Sequence, residues 1–427
     1  MSIEEFKIKP NSLNALFGSY VASHSISNSV IFLCTGIGCK AYLTMDMQGH
    51  ETGNKHVSRM GWSQFDQNDI IKGHTQKIER GISYQLQRFP SGFFPLVISP
   101  LIKVVGMDEQ IKNTANYLRK KWKKNISYVK LSGVEGEFWE GYNELILSFI
   151  SNMKWQNTFI EKGTVNIFGY PFDRYENEHK SNIKILTNYL RKLGIKTQAV
   201  FLSGTSTAEL AKARHAQFNI VLPFASKIGP KIEKITKKKT LYLDNPLGLE
   251  PTTKWLKRIG KIFKAENKAT SIIELQKKQR QERLARLKKK FQSKKAGLIL
   301  DLPNIIGMYS LLTEIGFSVD LICIRDNYFG GKELLCKLMR YYGHNPNNVN
   351  IIQNYTSVKL NEATHKDIDL IVCSSMDKVF IQNKSPKFLI YGFPSYEVHY
   401  LNEEKPLWGF EGYDNLCETI ENLMEDK

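Results

Sequence analysis

Thiol chemistry is the first possibility the sequence raises, and the spacing of its cysteines limits what that chemistry is. Six cysteines stand at positions 34, 39, 323, 336, 373 and 417. No two form a Cys-x-x-Cys pair, so a self-contained zinc or ferredoxin-type site is not expected. If a metal cluster is bound, this chain does not supply all its thiolates locally. A disulfide framework does not suit so long a chain in a reducing compartment. Cys39 is set apart by its neighbours, because it ends the turn Thr35-Gly36-Ile37-Gly38-Cys39 after an apolar run. On residue type alone, a cysteine there reads as a buried packing residue. Cys34 ends the apolar run itself and reads as core. Cys323, Cys336, Cys373 and Cys417 fall in strands or helices and read as packing.

The other reactive side chains give weaker signals. His24, His50, His56 and His74 are not at metal-binding spacing such as His-Glu-x-x-His and read as loop residues. Thr205, Ser206 and Thr207 follow Gly204 and suit a helix cap better than a phosphate site. No Gly-x-x-x-x-Gly-Lys-Ser/Thr motif is present, so ATP binding of that kind is not expected. Asp66 and Asp69 read as acids at a helix N-terminus. Ser132, Gly133, Gly136, Trp139 and Tyr142 mark a Gly-rich strand-to-helix turn, which is either aromatic packing or a wall of an interface.

The elements that must position these residues alternate between strands and helices. Val30–Cys34, Phe93–Ser99 and Ile126–Leu131 read as buried strands, with helices over Asp108–Lys121 and Trp139–Asn152. The rhythm restarts with strands Thr164–Tyr170, Lys196–Leu202 and Phe218–Phe224 and helices Ser181–Leu193 and Thr207–Ala216. A third run has strands at 296–301, Phe317–Ile324, 350–354, Asp369–Ser375 and Lys387–Pro394. Its helices fall over Leu302–Glu314, Lys332–Tyr342 and Tyr413–Met424. This pattern predicts an α/β fold of three Rossmann-like domains, each a mainly parallel sheet flanked by helices. The expected divisions are 1–155, 156–265, a connecting basic helix in 266–295, and 296–427.

Charge is concentrated in that connector. The 427-residue chain carries a formal charge of +18, and Pro251–Lys295 holds 16 Lys and Arg against 3 Glu. Ile272–Lys295 contains neither Pro nor Gly and predicts one long helix with a narrow apolar stripe of Ile272, Ile273, Leu275, Leu284, Leu287 and Phe291. Such runs are ordinarily solvated faces. Nucleic-acid binding is the sharper alternative, and contact with an acidic protein partner is preferred to it. No apolar run approaches the length of a membrane span, and the N-terminus has no secretory character, so a cytoplasmic location is expected.

Several segments, in order and spacing, resemble the nitrogenase component 1 family. They are Leu13–Leu43 with its Gly-Ile-Gly-Cys turn, Val97–Asp108, Ser132–Ile146, Gly163–Gly169 with the following Leu-Gly-Ile and a stretch similar to Thr-x-x-Glu-Leu-x-x-Ala, and Gly392–Pro394 with Gly409–Leu416. The resemblance is to β-type subunits and runs from about residue 13 to the end. It implies that Cys39 occupies a cluster-ligand position. It also sets Pro10 and Pro100 where nitrogenase β subunits have further ligand cysteines. A [4Fe-4S] cluster shared with an α-type partner that gives the other thiolates then follows. Gly36 and Gly38 would let the backbone approach the cluster closely.

The function so implied is that of a β-type subunit of a nitrogenase-like oxidoreductase. It would assemble as α2β2 and receive electrons from a transiently docked ATP-dependent [4Fe-4S] reductase. The first alternative is the β-type half of the scaffold that matures the nitrogenase cofactor. The second is a non-enzymatic nucleic-acid-binding protein acting through the basic helix.

Overall fold

The computed structural model describes residues 13–41, 43, 59–132, 136–155, 159–171, 177–364, 367–398 and 404–425. The chain divides into two compact units. One takes Leu13–Tyr175 and Thr197–Tyr242, the other Glu176–Lys196 and Leu243–Lys427.

In the first unit, apolar runs become the strands of two sheets. The first sheet has the order β2-β1-β3-β4, with β1 Ile31–Thr35, β2 Met60–Gln64, β3 Phe93–Ile98 and β4 Asn125–Val129. All its pairings are parallel. Its helices are α1 Ala15–His24, α2 Gln67–Lys72, α3 Thr75–Arg88, α4 Pro100–Val104, α5 Asp108–Trp122 and α6 Phe138–Ser151. Alternation along the strands sends Phe32, Cys34, Phe94, Leu96 and Ile98 to one face, where they pack with Ile78 and Ile82 of α3 and Ile111 of α5. Phe32 is clasped from two sides. A Cβ on Gly61 of β2 would meet its ring at 2.5 Å, and one on Gly81 of α3 would do the same.

On the other face α1 and α6 cross at backbone contact. A Cβ on Gly18 would stand 1.8 Å from the Phe138 carbonyl oxygen, and one on Gly141 would stand 1.7 Å from that of Ala15. Only glycine allows this approach. The second sheet has the order β6-β5-β7-β8, with β5 Thr164–Phe168, β6 Lys196–Val200, β7 Phe218–Val221 and β8 Thr240–Tyr242. The Asn143 amide on α6 donates to the Phe224 carbonyl just beyond β7, at 2.8 Å.

The second unit is built on a five-stranded parallel sheet of order β11-β10-β9-β12-β13. Its strands are β9 Lys295–Leu300, β10 Ser318–Ile324, β11 Asn350–Gln353, β12 Leu370–Cys373 and β13 Lys387–Ile390. Its helices include α7 Asn177–Lys192, α8 Leu249–Ile262, α9 Glu266–Phe291, α10 Leu302–Glu314, α11 Lys332–Tyr341 and α12 Gly409–Glu425. The expectation of α/β architecture with three parallel sheets flanked by helices is met. Ligands of such doubly wound sheets ordinarily enter outside the carboxyl ends of the strands where the order reverses, here between β9 and β12. Buried charge occupies that place. Arg325 Nε lies 2.9 Å from Asp377 Oδ2, and Nη1 lies 3.6 Å from Asp301 Oδ2, all three side chains being buried. Asp377 also accepts from Ser374 Oγ at 2.6 Å.

Several local expectations are corrected. The basic helix begins at Glu266, at the start of the expected 266–295 connector and ahead of Ile272, and it ends at Phe291, because Lys295 already opens β9. Leu275 is 56% exposed and lies off the apolar stripe, and the buried positions are Ala269, Ile273, Arg280, Leu287 and Phe291. The charges of α9 are not simply solvated. Arg280 and Arg283 bind Asp414 of α12 at 2.6 and 2.8 Å, and Arg286 and Lys290 pair with Glu421. The helix expected over Thr207–Ala216 is one α-helical turn, Thr207–Leu210, continued as a 3-10 helix over Ala211–His215.

Candidate functional site

The candidate site grows out of the end of β1. All five β1 residues are fully buried, so this strand fixes where the following turn begins. Cys34 belongs to the core beneath it, and burial raises its thiol pKa well above the ordinary range. Beyond Thr35 the chain turns at Gly36 and forms a short helical segment over 37–41. Cys39 lies on this segment and is half-buried. A Cβ on Gly38 would meet nothing within 4 Å, whereas one on Gly36 would come 3.7 Å from Leu101 Cδ2 of α4. Among the described residues, space therefore lies open at Gly38, and α4 runs close beside Gly36.

The turn is braced from β2. The Trp62 indole N–H donates to the Thr35 carbonyl at 3.2 Å, and the Lys40 ammonium stands 4.3 Å from the centre of the Trp62 ring. Phe65 N also donates to the Thr35 carbonyl, at 3.0 Å. Apolar side chains face outward around this place. Ile37 is 65% exposed, and Leu101, Val104 and Val105 are exposed beside it on and after α4. Large exposed aliphatic side chains drawn together in this way suit contact with another protein.

Pro100 opens α4 at its first position, where a missing N–H costs nothing. The residue before it, Ser99, is fully buried, and its hydroxyl has no hydrogen-bond partner among the described residues. Pro10 lies outside the described residues. No group of three His, Cys, Asp or Glu among the described residues is arranged to hold a metal ion. Among the described residues, Cys39 is thus a lone half-buried thiol at this turn, with the chemistry of a single cluster ligand and no further ligands arranged beside it.

The remaining candidates resolve mostly into structure. Asp66 caps α2 and forms a reciprocal capping box with Asp69. Asp69 lies 3.1 Å from His74 Nδ1 and accepts from Lys77 at 2.9 Å, while His74 Nε2 contacts Ser63 Oγ. His24 is held by Tyr20, and His50 and His56 lie outside the described residues. Ser206 caps the turn over Thr207–Leu210 through a capping box with Glu209. Trp139 and Tyr142 are core residues, Trp139 packing 4.5 Å from the Phe224 ring. Gly133 lies outside the described residues. Cys323 and Cys373 are in the core of the five-stranded sheet, and burial pushes the Cys417 thiol up to about 12. Cys336 departs from the expected packing role. It is half-buried and lines a surface groove of about 730 Å3 with Lys332, Lys337 and Arg340.

The neighbours of Cys39 could not be read from sequence. Trp62 and Leu101 are distant along the chain, and only the parallel register of β1 with β2 and β3 brings them to the turn. No helix among the described residues is long and apolar enough to cross a membrane.

Comparison with known proteins gives a consistent picture. A family model described as nitrogenase component 1 type oxidoreductase matches residues 15–425. The nitrogenase iron-molybdenum cofactor biosynthesis protein NifE of Clostridium pasteurianum is 25% identical over 206 residues. That match covers 48% of this chain and 43% of the relative, so the chain spans less than half the length of the curated relative it matches. Two solved structures share the fold. Nitrogenase Cp1 at pH 6.5 superposes with a TM-score of 0.79 at 15% identity, over 99% of this chain and 94% of that one. Nitrogenase Cp1 at pH 5 superposes with a TM-score of 0.72 at 16% identity, over 97% and 89%. With the family model spanning nearly the whole chain, the protein belongs to the nitrogenase component 1 type oxidoreductase family.

Proposed function

We propose that this chain is the β-type subunit of a nitrogenase-like oxidoreductase and that Cys39 gives one thiolate to a [4Fe-4S] cluster shared with an α-type subunit. The observation that carries the proposal is the setting of Cys39. It is half-buried on a glycine-flanked turn, with open space at Gly38 and exposed aliphatic side chains beside it. When bound, the cluster supplies one-electron transfer, taking electrons from an ATP-dependent iron–sulfur reductase. This chain's residues hold the ligand turn through Trp62 and Thr35. They close it to water with Ile37, Leu101 and Val104 once the partner covers them, and they place the Lys40 charge one residue from the ligand.

A second reading is favoured by the likeness to the cofactor biosynthesis protein of Clostridium pasteurianum. In it the chain is half of the scaffold on which the nitrogenase cofactor is matured. The two readings separate on what leaves the complex. A scaffold hands a metal cluster to an acceptor protein, whereas a reductase releases a reduced substrate and keeps its metal.

The test of the shared part is anaerobic co-purification with an α-type partner, followed by iron analysis and spectroscopy. About four irons per αβ pair are expected, as one [4Fe-4S] cluster requires. Cys39→Ser should lose or reshape the signal, while Cys336→Ser, at a cysteine of similar exposure, should leave it intact. Equal iron and equal spectra in both variants would remove Cys39 from the ligand set.

A further inference from the structure

We infer that the elbow between α8 and α9 is a docking surface for an acidic protein. Of the sixteen cations of Pro251–Lys295, seven pair with carboxylates within the chain, Lys277 with Glu250, Arg280 and Arg283 with Asp414, Arg286 and Lys290 with Glu421, Lys294 with Asp369 and Lys295 with Asp320. Lys278, Lys288 and Lys289 project singly from α9, and the largest unpaired group lies at the elbow. Lys257, Arg258 and Lys261 share the exposed side of α8, Lys264 lies in the link, and Lys268 sits in the first turn of α9. All five are exposed, and none pairs with a carboxylate among the described residues.

Stability does not account for this arrangement. Lys257 and Lys261 stand at i,i+4 on one helix, where like charges are destabilising. Lys268 is at the N-terminal end of α9, where the helix dipole disfavours a cation. Lys264 adopts a left-handed backbone conformation, at φ 55°, that glycine or asparagine would take with less strain. The cluster also extends onto a third element. The Lys268 ammonium lies 3.8 Å from where a Cβ on Gly194 would stand, just after α7, whose last turn carries Arg191 and Lys192.

The chemistry of the patch favours protein over nucleic acid. Its exposed large apolar residue is Ile262, 38% exposed at the end of α8, and among the described residues no exposed aromatic side chain accompanies it there for base stacking. Exposed cations on the same stretch as an exposed aliphatic side chain complement an acidic rim around an apolar contact, the usual anatomy of a protein interface. A phosphate backbone would leave Ile262 unused.

The test uses the full chain and an acidic peptide of Glu-Glu-Leu repeats as probe, with zero-length carbodiimide cross-linking and mass-spectrometric mapping. Cross-links should concentrate at Lys257, Lys261, Lys264 and Lys268. The triple variant Lys257→Glu, Lys261→Glu, Lys268→Glu should bind the peptide about tenfold more weakly at low salt, with the difference shrinking as salt rises. A control variant reversing the exposed Lys120, Lys123 and Lys154 should bind as the parent does. Cross-links spread over lysines in proportion to their exposure, or equal losses in both variants, would overturn the assignment. Duplex DNA that displaces the peptide from the elbow and binds it more tightly would also overturn it, making the patch a nucleic-acid surface.

Discussion

The Lys40 ammonium rests 4.3 Å from the centre of the Trp62 ring, and the same indole donates its N–H to the carbonyl of Thr35, the last residue of β1. One side chain thus grips both ends of the segment that carries Cys39. A cation–π contact at an exposed site contributes about 0.5–1 kcal/mol and a net hydrogen bond about 1 kcal/mol. Trp62→Leu removes both and should loosen the turn, raising the rate at which a thiol reagent labels Cys39 several-fold. Trp62→Phe keeps the ring and loses the N–H, so its rate should fall between. Equal labelling rates in all three proteins would show that Trp62 does not hold the turn.

Two glycines of the first unit should respond oppositely to one added methyl group. Gly18→Ala drives a Cβ into the Phe138 carbonyl, and the helices must separate, at a cost of about 3 kcal/mol in urea unfolding. Gly38→Ala meets open space and should change the stability of the isolated chain by less than about 0.5 kcal/mol. If the cluster occupies that space in the assembled complex, Gly38→Ala should still lower iron incorporation with the α-type partner. A Gly38→Ala protein that is stable and loads iron normally would place the cluster elsewhere.

Glu314 gives the second unit a measurable pH response. Its carboxylate accepts the backbone N–H groups of Leu249 and Glu250, at 3.2 and 3.0 Å, standing in for a cap that Gly248 cannot provide. Burial, reinforced by the charge of Glu250, nevertheless lifts its pKa to about 7. A raised carboxyl pKa means that the contribution to stability is complete below the ordinary carboxyl range and is lost as pH rises through 7. Between pH 4 and pH 8 the parent should therefore lose up to about 3 kcal/mol relative to Glu314→Gln. Parallel pH profiles for the two proteins would show that the carboxyl is solvated.

Arg325 should be costly to remove. Arg325→Met would leave Asp301 and Asp377 facing one another in a buried site, a change worth about 3–5 kcal/mol. Adding Asp301→Asn and Asp377→Asn should recover a large part of that loss, because the uncompensated charge goes with them. Unfolding midpoints of the single and triple variants decide the matter. A single variant as stable as the parent would mean that water reaches the cluster.

Much of the fold was legible because its strands are short apolar runs bounded by turns, as at Ile31–Thr35 and Phe93–Ile98. Strand β2 was not legible. Its sequence, Met-Gly-Trp-Ser-Gln, has no apolar alternation, and Gly61 is required there only because Phe32 fills the space its side chain would take. Helix α3 was missed as well, since its buried face rests on Ile78, Ile82 and Gln85 alone. The turn bearing Cys39 was readable from its glycines, but its brace and its apolar surround were not. The partners of the basic helix were hidden for a related reason. Arg280 and Asp414 are 134 positions apart, and local patterning carries no information about such pairs.

The pairing of α9 with α12 also fixes an order of events during synthesis. Helix α9 leaves the ribosome long before Asp414, Glu421 and Glu425 are translated, so its arginines emerge with their eventual partners still unmade. Until α12 is made, the nascent chain presents these cations of α9 uncompensated. Neutralisation of those cations therefore waits on translation of α12, and a chain truncated before Asp414 would leave Arg280, Arg283, Arg286 and Lys290 without these carboxylates.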